Sequence, residues 1–373
     1  MNDIKHISAK RFFGLDLMRA MAICMVLCSH ILWIYNPDDG IIRQLFALFG
    51  FLGVEFFFVL SGFLIGKILY GIYIKDNYTL EIAFYFLKRR WFRTLPNYFI
   101  ALIINIIITF SLGYSMPKLG LYFIFLQNGF GKMSTFFPES WSLSVEEWAY
   151  VILPISLLAW SFLYKPKNKS RFFLWLIVLL ITLSIFLKII YQYNTHTTTL
   201  DEWNVSLKSV MIYRLDAIFM GVLCGWISIN YEINWTKFKL HSALIGVFIM
   251  FFMYFGMGYL RILPETFPFV WNVVYLPLAS LSIALFVPLF SQMETSIEII
   301  KRPVVFISKI SYSIYLLHYS VIMQLLMLFV NRDKSSLEQL HLITTVYLTT
   351  TIFMSYLFYR FYEKPMMDLR DKN

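Results

Sequence analysis

At 59% hydrophobic and 19% aromatic residues over 373 positions, with a mean hydropathy of +0.67, the chain is too apolar for a soluble domain, where about 45–50% is usual. Its net charge of +10 suits basic loops facing anionic lipid headgroups. Nucleic-acid binding is excluded, because no soluble basic domain is present to carry it.

Ten apolar runs of about 20 residues, each long enough to cross a bilayer, follow one another at about 14–36, 46–70, 94–113, 141–163, 171–191, 208–229, 240–260, 269–290, 304–330 and 341–362. The expected fold is therefore all-α, a polytopic helical membrane bundle forming one domain over residues 1–373. The first run lacks a small-residue cleavage site and keeps polar residues inside, so it reads as a span and not as a cleaved signal. With the N-terminus inside, 21 Lys and Arg fall in cytoplasmic segments, from Lys5, Lys10 and Arg11 to Lys165 and on to Arg370 and Lys372. Only seven fall opposite. That bias predicts cytoplasmic N- and C-termini. The longest loops on the opposite side, about 114–140 and 192–207, are placed to cover an external site.

Several spans hold residues too polar for their position, and such residues are seldom kept in lipid without a use. In the first, FFGLDLMRAMAICMVLCSHILWIY, Arg19 and His30 stand eleven positions apart, within roughly 20° on one helix face and about 16 Å apart along the axis. Cys24, Cys28 and Cys224 fall inside spans and read as free thiols used for packing, with no metal site. The second span, GFLGVEFFFVLSGFLIG, contains Glu55 and Ser61 among glycines spaced for close helix contact. At the entry of the third, LKRRWFRTLPNY brings Lys88, Arg89, Arg90 and Arg93 together ahead of Pro96. Arginine forks of this kind bind phosphate, whether of a cytosolic donor or of lipid.

The fourth span opens with PESWSLSVEEWAYVILP. Helix capping explains one of Glu146 and Glu147 but not both, and Ser142, Glu146 and Tyr150 share one stripe at four-residue intervals. In YRLDAIFMGVLCG, Arg214 and Asp216 are too close in sequence to face each other, so each should partner another span. ISKISYSIYLLHYS places Ser311, Tyr315 and His318 on one face. In the tail, FYEKP, Glu363 and Lys364 end the last span before Pro365.

GLDLMRAMAICMVLCSH resembles the first-span signature of the bacterial membrane acyltransferase family 3, in which an Arg and a His are separated by ten residues. The likeness continues in order through GVEFFFVLSGFLI, LKRRWFRTLPNY, ESWSLSVEEWAYVILP, YRLDAIFMG, ISYSIYLLH and FYEKP, spanning residues 14 to 365. The resemblance implies a multi-pass protein of the bacterial inner membrane that moves an acyl group, usually acetyl from acetyl-CoA, onto a sugar hydroxyl of a surface glycan or lipid-linked sugar. A lipopolysaccharide O-antigen is the favoured acceptor, and succinyl remains an alternative donor. Many members add a soluble esterase-like domain, which is not expected here.

On this reading Arg19, Arg89, Arg90 and Arg93 engage the donor. His30 acts as general base or takes the acyl group itself, with Glu146 orienting it. Ser61 and His318 assist catalysis, and Trp141, Ser142, Tyr150, Arg214, Asp216 and Tyr315 line the substrate path. A transporter or flippase of an anionic or lipid-linked substrate is the competing class. It predicts inverted repeats and broken spans in matching halves, and neither is visible in the sequence.

Overall fold

A computed structural model describes residues 12–36, 40–75, 77–163, 166–195 and 199–372. Lys5, Lys10, Arg11 and Lys165, and the side chains of Arg370 and Lys372, all counted in the charge bias, lie outside the described residues. Among those residues there is no strand. Nine helices are long and apolar enough to cross a membrane. In chain order they are α1 (Phe13–Ile31), α2 (Ile41–Lys75), α3 (Leu80–Ser111), α4 (Ser140–Leu163) and α5 (Lys169–Asn194), then α7 (Lys239–Tyr259), α8 (Val270–Phe290), α9 (Glu298–Met327) and α10 (Leu337–Leu369). Between α5 and α7 runs a shorter apolar helix, α6 (Leu215–Asn230). Together these ten correspond to the ten runs read from the sequence, and the chain is a multi-pass membrane protein.

Four boundaries differ from expectation, the first being the end of α10, which runs through Glu363, Lys364 and Pro365 to Leu369 instead of stopping before the proline. Helix α3 begins at Leu80 rather than near residue 94, capped by the Thr79 side chain, so the basic cluster is helical and Pro96 lies well inside. Helix α2 extends to 35 residues, because its polar ends continue the helix beyond the apolar run. Helix α6 starts only at Leu215, since residues 204–208 and 211–213 form a π turn and a 3-10 turn.

The long α2 runs through the middle, with α1 and α6 against it, α9 beside α1 and α5 beside α6. The α2–α6 contact rests on glycine. A Cβ on Gly62 would fall 1.9 Å from the Ile218 carbonyl, and one on Gly221 would fall 2.1 Å from that of Val59. Two backbones that close leave no room for side chains, the usual solution where lipid gives helices no hydrophobic reason to associate. Helices α5, α7 and α10 are peripheral and turn large apolar side chains outward, among them Phe186, Phe248 and Phe353.

At the His30 end of the bundle, the 112–139 and 199–214 connections interlock. Met133 N–H donates to the Val205 carbonyl at 3.0 Å, and Met211 N–H to that of Asn128 at 2.9 Å. The Asn128 amide donates to the carbonyls of Ser209 and Trp141. Substituting Gly62→Val should force α2 and α6 apart at a cost of about 3 kcal/mol, the upper range for overpacking. A large fall in the thermal midpoint of the detergent-solubilised protein is the expected result.

Candidate active site

Two chambers lie end to end inside the bundle. The first, about 80 Å³, is walled by Arg19 of α1, Ser61 of α2, Arg90, Arg93 and Thr94 of α3, Ser142, Glu146 and Tyr150 of α4, and Ser311, Tyr312 and Tyr315 of α9. The second, about 290 Å³, holds His30, Glu55, Trp141, Tyr319 and, from the interlocked connections, Met133, Glu139 and Lys208. Val54 and Tyr315 belong to both walls. The Tyr315 hydroxyl lies 2.5 Å from Ser142 Oγ and donates to the Glu139 carbonyl at 3.1 Å.

The arginine chamber is built from helix periodicity. Three residues apart on α3, Arg90 and Arg93 face inward together, while Arg89 is turned aside and donates to the Tyr85 hydroxyl at 3.2 Å. Arg90 lies over the Tyr150 ring, 5.0 Å from its centroid. Neither Arg90 nor Arg93 is within ion-pair distance of a carboxylate among the described residues, and with Arg19 they outnumber Glu146, the carboxylate in the same wall, so the cavity carries an excess of positive charge. Arg19 is positioned through α9: it donates to Ser308 Oγ at 3.4 Å and lies 3.8 Å from Asp16, whose carboxylate also accepts from Ser308 at 2.5 Å.

Glu146 belongs to this chamber and not to that of His30. Its Oε1 accepts from Ser61 Oγ at 2.6 Å and from the Tyr150 hydroxyl. The stripe Ser142, Glu146, Tyr150 holds as a stripe, but it aims at the arginines. Glu147 turns away toward Trp91, Leu95, Phe99 and Trp148.

His30 occupies the last turn of α1, and its tautomer can be read from its neighbours. Nδ1 of His318 lies 2.8 Å from the Tyr315 carbonyl and 3.1 Å from that of Ile314, so it must carry the proton. His318 Nε2 is then an acceptor, and it lies 3.3 Å from His30 Nδ1. That nitrogen is also 2.9 Å from the Val26 carbonyl, so it too must be protonated. The remaining ring nitrogen, His30 Nε2, is left as the basic one. A carbonyl and a second imidazole thus do the orienting expected of a carboxylate.

Two chamber residues were not singled out from the sequence. Glu139 Oε1 accepts from Ser320 N–H at 3.1 Å and from its hydroxyl at 2.5 Å. The π turn His318–Met323 of α9 presents that N–H, as such turns do at functional sites. Burial raises the Glu139 carboxyl to about 7. Lys208, from the π turn before α6, lies over the Phe51 ring, 5.8 Å from its centroid, and burial lowers its ammonium to about 8. Both sit beside special backbone rather than in an apolar run, so hydropathy alone does not mark them.

A family model described as "Acyltransferase domain" matches residues 12–360. The chain belongs to the membrane acyltransferase family 3. It is 24% identical over 386 residues to the protein named O-acetyltransferase OatA in Staphylococcus aureus strains NCTC 8325 / PS 47, COL and MRSA252, covering 95% of this chain. The chain spans 57% of the length of those relatives. No solved structure matches.

Within this family member, Arg214 and Asp216 stand apart from both chambers, contrary to the expectation that they line the substrate path. Each partners another span: Arg214 reaches Glu55 of α2, and Asp216 accepts from Lys188 of α5 at 2.5 Å. The other carboxylate oxygen of Glu55 accepts from Ser280 of α8 at 2.9 Å. Arg214 is 0% exposed, so losing one member of its pair strands a buried charge. Glu55→Leu alone should cost about 3–5 kcal/mol, whereas Glu55→Leu with Arg214→Met should cost less than either single change. A double-mutant cycle on thermal midpoints measures both.

Proposed function

We propose that this chain transfers an acetyl group from acetyl-CoA, whose acyl-bearing end enters the arginine chamber, to a sugar hydroxyl of a surface glycan bound in the His30 chamber. The observation that carries this reading is the shared wall at Val54 and Tyr315, which brings the end of a donor site against a basic imidazole. We place the arginine chamber on the cytoplasmic side of a bacterial inner membrane, with both termini there, as the charge bias suggests. A sixteen-residue α6, about 24 Å long by helix rise, supports that placement. Counted with the nine longer spans, it makes an even number of crossings. Relatives named O-acetyltransferase support acetyl as the group moved, and an O-antigen sugar is the specific acceptor we favour.

In this mechanism Arg90 and Arg93, with Arg19, hold the phosphates and the pantetheine arm of the donor. The thioester reaches the Tyr315–Ser142 hydroxyl pair, and one of these donates to its carbonyl oxygen as negative charge develops there. His30 Nε2 removes the proton from the acceptor hydroxyl as the oxygen attacks the carbonyl carbon. The carbon–sulfur bond then breaks, and the proton leaves with the CoA thiolate. His318 and Val26 hold the imidazole in the required tautomer throughout.

His30→Ala should lower acetyl transfer by about 100-fold or more, with normal abundance in the membrane. The readout is glycan mass, which should lose one acetyl increment per site, as it does on deleting the gene. Retained acetylation rules out the base role. Arg90→Ala with Arg93→Ala should raise the acetyl-CoA concentration needed for half-maximal transfer, while Arg89→Ala changes it little. Equal effects from all three positions would refute the division of the cluster.

A further inference from the structure

Lys208 is an unmatched charge in the chamber that would hold the acceptor. Its ammonium has no hydrogen-bond or ion-pair partner among the described residues, only the face of Phe51. The carboxylates in the same wall are committed elsewhere: Glu55 to Arg214 and Ser280, Glu139 to both donors of Ser320. Lys208 is half-buried and its ammonium faces the cavity; a neutral sugar filling that space would strip water from the charge without replacing it, whereas an anion would complete it.

The position of Lys208 points to the acceptor rather than the thioester. On α2 the wall shared with the arginine chamber is at Val54, and Lys208 sits at Phe51, about one helical turn farther from that chamber. Lys208 is also close enough to His30 for its charge to act on the imidazole. With Lys208 uncompensated, that charge opposes the positive charge His30 acquires on taking a proton. An anion bound to Lys208 removes the opposition. Glu139, whose Oε2 is buried with no hydrogen-bond partner, is left to accept from a hydroxyl of the same acceptor.

We infer that the acceptor is an acidic sugar, one carrying a carboxylate or phosphate near the reacting hydroxyl, and that Lys208 selects it by ion pairing while Glu139 orients it. This rests on the acetyl-transfer reading of the same chambers. The anion then serves both recognition and reaction, because it neutralises the cation beside the base.

The test uses the full chain in lipid nanodiscs with labelled acetyl-CoA and two acceptors that differ only in charge, trigalacturonic acid and its methyl ester. The wild type should favour the acid by about tenfold or more in kcat/KM, the scale of a charge-assisted contact. Lys208→Gln should erase that preference through KM for the acid, and Lys208→Arg should keep most of it. Glu139→Gln should raise KM for both sugars. Equal use of the two sugars by the wild type, or a preference that survives Lys208→Gln, overturns the inference and leaves acetyl transfer standing. A uniform fall in kcat on both sugars in Lys208→Gln also overturns it, assigning the ammonium to the thioester oxygen. Absence of transfer to either sugar, with acetyl-CoA still bound and protected by Arg90 and Arg93, would sink the acetyl-transfer reading itself and this inference with it.

Discussion

The buried pair between Glu55 and Arg214 constrains the rest of the molecule. Neither group can leave the other in a low-dielectric interior without stranding a charge, so α2 and α6 are held in one register. Ser280 adds α8 to the same carboxylate. The glycine contact at Gly62 and Gly221 then becomes possible, because the two backbones already lie side by side. Glu55 also forms part of the His30 chamber wall, so the fixed point of the bundle and the site share a side chain. Lys188 and Asp216 repeat the device one helix farther out, tying α5 to α6.

From that frame the bundle separates two kinds of polar surface. At one end, three guanidinium groups outnumber the Glu146 carboxylate around a small cavity, an excess of positive charge that suits a phosphorylated or otherwise anionic guest. At the other, an imidazole, two carboxyl groups and an ammonium surround a larger space roofed by interlocked connections. Each end has its own positioning residues: Asp16 and Ser308 for Arg19, Tyr315 and Ile314 carbonyls by way of His318 for His30. The α9 helix contributes to both sets, through Ser308 at one end and His318 at the other, so it touches the positioning of both ends.

Much of this was legible in the sequence. Apolar runs fixed the number of helices, since lipid requires each backbone to satisfy itself. The eleven-residue spacing of Arg19 and His30 placed them at different depths of one helix, and both do line chambers. The split of Arg214 and Asp216 between neighbouring spans also followed from their spacing. What failed was the identity of partners across helices. Glu146 was matched to His30 because both were assigned to the same side, yet the pitch of α4 turns it to Ser61 and Arg90. Glu139 and Lys208 escaped because each depends on backbone geometry, the end of a connection and a π turn, that leaves no periodic trace. His318 was marked as polar and buried, but its use as an acceptor for a second imidazole depends on a 3.3 Å approach that spacing cannot supply.

The shared wall at Val54 and Tyr315 has a consequence for the cell as well as for the reaction. A water-filled tunnel through an energised bilayer would let ions run down a gradient worth about 2.3 kcal/mol per charge for each 100 mV. Here the two chambers meet at a valine side chain and a tyrosine bonded to a serine hydroxyl, an uncharged boundary between them. In the proposed reaction, an acyl group on a thin flexible arm inserts where a hydrated ion cannot. Under the proposed reaction, a chemical group crosses the membrane without loss of its voltage.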